Sequence, residues 1–169
     1  MFGSKTTRLL SDIDRFKYKQ KKIIAFKPKI DQRYSKQQIC SHSGAKYDAI
    51  CISSGCEIYD YILNNKYDII AVDEAFMIKC IDEVLIDLYE KKYSIIVSSI
   101  QLSGENKPFE NIKNILPWAT KIEICPAVCT QCDNDAFFTK ALFDMSNIES
   151  SIKIGNSDIY EPRCHLHNF

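Results

Sequence analysis

Two short stretches, Cys129-Thr130-Gln131-Cys132 and Cys164-His165-Leu166-His167, place cysteine and histidine side chains at metal-ligand spacing. Two residues between ligands let a tight turn aim both side chains at one ion, and two such turns supply the tetrahedral set that Zn²⁺ prefers. His165 is an alternative to His167 as the last ligand, but the two-residue spacing argues for His167. The set Cys129, Cys132, Cys164 and His167 leaves no open coordination position, so the expected zinc is structural and not catalytic. The other cysteines, Cys40, Cys51, Cys56, Cys80 and Cys125, have no partner at such spacing and read as buried small hydrophobes.

Two further groupings suit phosphate chemistry. Gly3-Ser4-Lys5-Thr6-Thr7 opens an amphipathic stretch. At a helix amino terminus, backbone amides can cradle phosphates, a lysine can reach their outer oxygens and the next hydroxyl can hold Mg²⁺. Lys5 and Thr6 stand in those two places, whereas Ser4 occupies the position before the lysine that is usually glycine. The first glycine of the pattern and its preceding strand would fall before Met1; a plain helix start capped near Thr6 or Thr7 is the alternative. Asp73-Glu74 closes the apolar run Tyr67 to Asp73. Adjacent carboxylates at the carboxyl end of a buried parallel strand lie where ligands bind; there the aspartate can hold hydrated Mg²⁺ and the glutamate can accept a proton from an attacking hydroxyl. A simple strand-to-loop exit is the bland alternative. Asp31 and Arg33 leave another strand toward the same edge, in Phe26 to Tyr34.

The elements that must position these groups are legible from periodicity. Lys22 to Lys27, Asp48 to Ser53, Tyr67 to Asp73, Ser94 to Ile100 and Lys121 to Cys125 read as strands, β-branched and nearly continuous. Such runs fit strands buried on both faces of a parallel sheet. Between them, Thr6 to Gln20 aligns Leu9, Leu10, Ile13 and Phe16, and Ile81 to Tyr89 aligns Ile81, Val84, Leu85 and Leu88 on helical faces. Alternation of strand and helix predicts an α/β fold with a parallel sheet flanked by helices. The long periodic segments stop near Ile124, which predicts an α/β domain over 1–124 and a small metal-binding subdomain over 125–169. A subdomain with so little apolar core needs a staple.

Composition narrows the function classes. Twenty-two basic and twenty-two acidic residues balance, so bulk electrostatic binding of nucleic acid is not expected. The lysines at 17, 19, 21 and 22 read as a solvated helix end. No apolar run approaches the roughly 18 residues that span a bilayer, and no apolar core follows the charge at the amino terminus. The expectation is a cytoplasmic protein with no membrane partner, whose cysteines ligate metal or are simply buried.

In this order, MFGSKTT, KPKIDQRY, Ser41 to Gly44 (SHSG), Val72 to Glu74 (VDE), Lys107 to Phe109 (KPF), VCTQC, Phe137 to Ala141 (FFTKA), Ile152 to Gly155 (IKIG) and Tyr160 resemble the thymidine kinases of the zinc-containing cellular and viral type. The resemblance covers essentially the whole chain. It implies a P-loop kinase-like sheet with a zinc-ribbon-like lid subdomain, and transfer of the ATP γ-phosphate to the 5′-hydroxyl of thymidine in deoxynucleotide salvage. By resemblance, Glu74 is the general base, Asp73 the Mg²⁺ ligand, and Gly3, Ser4, Lys5, Thr6 and Thr7 hold ATP phosphates. Asp31 and Arg33 help organise that region, while Met77, Phe109 and Tyr160 contact substrate. The family's substrate lid maps to about Phe143 to Tyr160, with zinc at its base, and a homotetramer is the implied assembly.

Some positions depart from the family pattern. The glutamine usual after the acidic pair is missing from Ala75-Phe76-Met77-Ile78, Ile100 to Gly104 lacks an aspartate and an aromatic, and Ala141 replaces an arginine. Fewer aromatics means less stacking on a base, so affinity or base selectivity is expected to change. A non-catalytic homologue serving as a binding or assembly protein is the alternative reading; a zinc-ribbon nucleic-acid module ranks below both.

Overall fold

Four β-branched runs pair side by side in parallel. They are β1 (Ile23–Pro28), β4 (Ile50–Ile52), β5 (Ile69–Val72) and β6 (Ser94–Val97), ordered β4-β1-β5-β6. The computed structural model describes residues 3–31, 37–143 and 159–168. Among these, β2 (Gln38–Cys40) and β3 (Lys46–Asp48) form a separate antiparallel hairpin. Its turn contains Gly44 at φ 90°, a conformation that only glycine takes cheaply.

The central strands are covered on both sides. Ala25 and Ala71 pack with Leu9, Leu10 and Ile13 of α1 (Lys5–Tyr18), and small side chains here let the helix approach closely. On the opposite face, Phe26 meets Tyr61 of α2 (Glu57–Ile62) edge to face at 5.9 Å. The helix α3 (Ile81–Glu90) buries Ile81, Val84, Leu85 and Leu88, the stripe that its 3.6-residue period predicts. Beside it lies α4 (Glu110–Ile115), tied to α3 by the Asn114 amide on Asp82 at 2.8 Å. Phe26 is fully buried, and truncating such a side chain to alanine costs about 3–5 kcal/mol. Residues Lys5–Ile100 and Glu110–Ala119 make up this compact unit.

A second unit comprises Gly3 and Ser4, Gln101–Phe109 and the described residues from Thr120 to Asn168. Its elements are short: β7 (Ala127–Val128) pairs with β8 (Asp135–Ala136), β9 (Phe138–Ala141) pairs antiparallel with β10 (Tyr160–Arg163), and α5 spans His165–Asn168. Its buried apolar cluster is Ala127, Cys129, Ala136 and Cys164, half of it cysteine. That is too little apolar area to hold such a unit together.

The described residues correct two expectations. Lys121 to Cys125 is not a strand: it joins no sheet among the described residues, and Ile122 and Ile124 are 59% and 63% exposed. An alternating pattern supplies a face to bury but not the neighbour that would bury it. Cys56 and Cys80 are exposed, not buried, because each stands at the turn entering a helix; Cys40, Cys51 and Cys125 are half-buried. No described helix is long and apolar enough to cross a membrane.

Candidate functional site

Every residue of β5 is buried, and Asp73 follows at its carboxyl end. The ladder continues one step past the strands: Asp73 N–H donates to Phe26 O at 2.9 Å, and Ser98 N–H to Val72 O at 2.8 Å. Val72 lies opposite Val97, so Asp73 and Ser98 are neighbours on adjacent strands. Both are buried, and Asp73 Oδ1 and Ser98 Oγ have no hydrogen-bond partner among the described residues. Burial first, then the Glu74 charge, pushes the Asp73 carboxyl up to about 7, and Asp31 adds to the rise. The Ser98 hydroxyl favours the charged form by proximity without reaching bonding geometry. The charges of Glu74 and Asp31 both act on Asp73, whose buried Oδ1 is left without a partner among the described residues.

Glu74 sits at φ 48°, ψ 45°, the left-handed region that costs a non-glycine residue about 1–2 kcal/mol. The turn that follows, a short 3₁₀ segment Ala75–Met77, sustains that conformation. Ala75 N–H donates to Ser98 O at 3.1 Å, Met77 N–H to Glu74 O at 3.1 Å, and Phe76 N–H to Ser99 Oγ at 3.3 Å. Met77 is half-buried on this turn.

Lys5, Thr6 and Thr7 form the first turn of α1, which contains no acidic side chain. Its free amides and the helix dipole therefore favour an anion. Gly3 and Ser4 precede it. A Cβ on Gly3 would overlap the Cys125 carbonyl, whose carbon would lie 3.2 Å away, so only glycine fits there. Ser4 has φ 56°, a glycine conformation occupied by serine.

In the second unit, the ligand atoms of Cys129, Cys132, Cys164 and His167 all lie within 4.8 Å of one another. Cys164 Sγ is 3.4 Å and Cys129 Sγ 3.8 Å from His167 Nδ1, and Cys132 and Cys164 sulfurs are 3.6 Å apart. A tetrahedron with Zn–S of about 2.3 Å and Zn–N of about 2.0 Å has edges of roughly 3.5–3.8 Å, so these residues fit zinc. His165 is exposed and outside the set. The Cys129 turn closes with its N–H on Asn134 O at 2.8 Å, and Asn134 Nδ2 donates to Cys132 Sγ at 3.4 Å. The strand leading to Cys164 is tied to the first turn: Thr130 Oγ1 donates to Glu161 at 2.9 Å and its N–H to Pro162 O at 3.2 Å, while Arg163 pairs with Glu161. Burial opposes ionisation of Cys129, but backbone N–H groups of Cys164 and Gln131 with the His167 and Cys164 side chains hold its thiol down at about 6. A metal-ready thiolate follows.

Tyr160 begins β10 and packs edge to face on Phe143 at 5.6 Å. It lines a concavity of about 470 Å³ with Val128, Thr130, Asp135 and Glu161. Phe109 is half-buried and donates its N–H to Gln101 O at 3.1 Å. Asp31 is buried and lies in the field of Asp73. Arg33 and most of the expected lid, residues 144–158, lie outside the described residues.

Sequence reasoning passed over Ser98 and Asn111. Ser98 was findable, since it leaves its strand at the step where Asp73 leaves β5. Asn111 carries no sequence signal, because only the packing of α4 brings it to the turn after Glu74.

A family model described as thymidine kinase matches residues 1–168. The chain is similar to the thymidine kinase of Mycoplasma genitalium, 35% identical over 170 residues, covering 99% of this chain and 79% of that protein. It is also similar to the thymidine kinase of Thermococcus kodakarensis, 32% identical over 99% of this chain and 89% of that one. The thymidine kinase of Mesoplasma florum is 30% identical over 97% of this chain and 85% of its own length.

Proposed function

The chain belongs to the thymidine kinase family, and on that premise we propose how its residues carry out the reaction. It is a kinase that phosphorylates thymidine. The observation that carries the mechanism is the pair Asp73 and Glu74 at the end of β5, with one Asp73 oxygen buried and unpartnered. Glu74 accepts the proton of the thymidine 5′-hydroxyl as that oxygen attacks the γ-phosphorus of ATP. The bond from the γ-phosphorus to the bridging oxygen breaks, and ADP leaves with the electron pair. Asp73 would hold Mg²⁺, which supplies charge neutralisation at the β- and γ-phosphates when bound. Gly3, Ser4, Lys5, Thr6 and Thr7 hold the phosphates through backbone amides, the Lys5 ammonium and hydroxyls, and Asp31 and Arg33 organise that region. Met77, Phe109 and Tyr160 contact the nucleoside.

The zinc at Cys129, Cys132, Cys164 and His167 is structural in this reading: it anchors the segment from Phe143 to Tyr160 that serves as substrate lid, and its ligands stay out of the chemistry. The division into a nucleotide-binding part (1–124) and a lid part (125–169) belongs to the same proposal, as do cytoplasmic location and a homotetramer. Presence of Lys5, Thr6, Asp73 and Glu74 together speaks against a non-catalytic homologue. The test is transfer of label from γ-labelled ATP with Mg²⁺ to thymidine and the other deoxynucleosides. Transfer to none of them overturns the mechanism.

A further inference from the structure

We propose that Asn111 is a positioning residue for phosphoryl transfer, holding the turn after β5 in the shape that presents Glu74. The inference rests on Glu74 being the general base. Asn111 Nδ2 points at three carbonyls of one turn: Ala75 O at 3.5 Å, Phe76 O at 3.3 Å and Ile78 O at 3.3 Å. Its Oδ1 accepts the Ile112 N–H at 2.9 Å, which turns the amide so that the donor end faces the carbonyls. Ala75, Phe76 and Ile78 are all buried, so their carbonyls have little water to bond; Ala75 O already accepts the Ile78 N–H at 3.0 Å, and the amide serves Phe76 O and Ile78 O at the shorter distances.

The clamp has a rigid base. Ile112 is buried, and Asn114 bonds Asp82 across to α3. Glu74 itself heads the turn in the left-handed region, and its side chain makes no capping hydrogen bond to that turn. Its backbone is therefore held from two sides, by the β6 continuation through Ala75 N–H on Ser98 O and by α4 through Asn111. Loss of the second hold lets Glu74 relax out of a strained conformation, and a carboxylate displaced by about 1 Å can lose on the order of 100-fold in rate.

The experiment compares Asn111→Asp and Asn111→Ala with Glu74→Gln in the zinc-loaded full chain. Asparagine to aspartate keeps the volume and replaces the donors with an acceptor facing three carbonyls. The expected result is a kcat lowered about 10- to 100-fold, a KM for ATP within about twofold of wild type, and amide exchange at Met77 and Ile78 faster by about tenfold or more. Asn111→Ala shows the same pattern more weakly and serves where the aspartate variant folds poorly. A lower melting temperature with wild-type kcat in the folded enzyme overturns the proposal, as does unchanged exchange at Met77 and Ile78. An inactive Glu74→Gln beside a fully active Asn111→Asp refutes the role of Asn111 alone. A fully active Glu74→Gln removes the general base and takes this proposal with it.

Discussion

The buried Oδ1 of Asp73 and the buried Oγ of Ser98 stand on adjacent strands at the same step beyond the sheet, and neither has a hydrogen-bond partner among the described residues. Leaving a buried polar atom unpaired costs about 1–3 kcal/mol. Burial of this unpaired oxygen disfavours the charged carboxylate.

Stability should therefore change with pH at Asp73. Its ordinary value of 3.8 is raised to about 7 by burial and the Glu74 charge. Between those values the folded protein keeps a proton that the unfolded chain has released, so this group's contribution is complete below about pH 4 and is lost as pH rises through about 7. Asp73→Asn is expected to be more stable than wild type by about 1–3 kcal/mol at pH 8 without Mg²⁺, with the gap shrinking toward pH 5. Urea denaturation at both pH values measures it. Equal stability at pH 8 would show that the carboxylate is not strained there.

Glu74→Gln keeps the size of the side chain and removes the proton acceptor. Its kcat is expected to fall by about 10²- to 10⁴-fold with the melting temperature nearly unchanged. Steady-state kinetics with thymidine and Mg·ATP decide this; a variant within tenfold of wild type would assign the base elsewhere.

Gly3 and Ser4 make opposite demands on neighbouring positions. Gly3→Ala forces a methyl group into the Cys125 carbonyl and should destabilise by about 1–3 kcal/mol. Ser4→Gly relieves a positive φ and should stabilise by up to about 1 kcal/mol, the gain reduced by glycine's freedom in the unfolded chain. Thermal melts of the two variants should move in opposite directions, and movement in the same direction contradicts the loop geometry.

Removal of the metal should act on structure before chemistry. Cys129→Ser is expected to lower zinc content well below one per chain and to loosen the pairing of β9 with β10, seen as faster amide exchange at Glu161 and Arg163. Because the thiolate ligands must stay deprotonated to hold zinc, acid should release the metal, at a pH below the metal-free Cys129 value of about 6, which a chromophoric chelator reports. A metal-free variant with unchanged exchange and full activity would refute the structural role.

Much of this protein is local chemistry and was readable as such. The runs at β1 and β5 are β-branched and continuous because both faces are covered, whereas the edge strand β6, expected to be buried, is exposed at Ser94 and Val97; the stripes of α1 and α3 follow the helical period. The metal ligands were readable for the same reason, since a two-residue spacing already dictates the turn. The acidic pair was placed by its strand: once β5 is a buried strand, Asp73-Glu74 can only leave at its carboxyl end.

What the sequence could not decide is which groups meet. The alternation in Lys121 to Cys125 is strand-like, yet a strand exists only where another offers its backbone, and none of the described strands does. Cysteine type predicts burial on average, but Cys56 and Cys80 stand at helix entries facing water. The unpaired oxygens of Asp73 and Ser98, the left-handed Glu74 and the reach of Asn111 to three carbonyls arise from residues distant in the chain. By itself the sequence determined periods, faces and ligand spacing, which are short-range properties of the backbone. Register, burial and the conformation of the reactive turn were decided by tertiary packing, because each depends on what lies across the gap rather than along the chain.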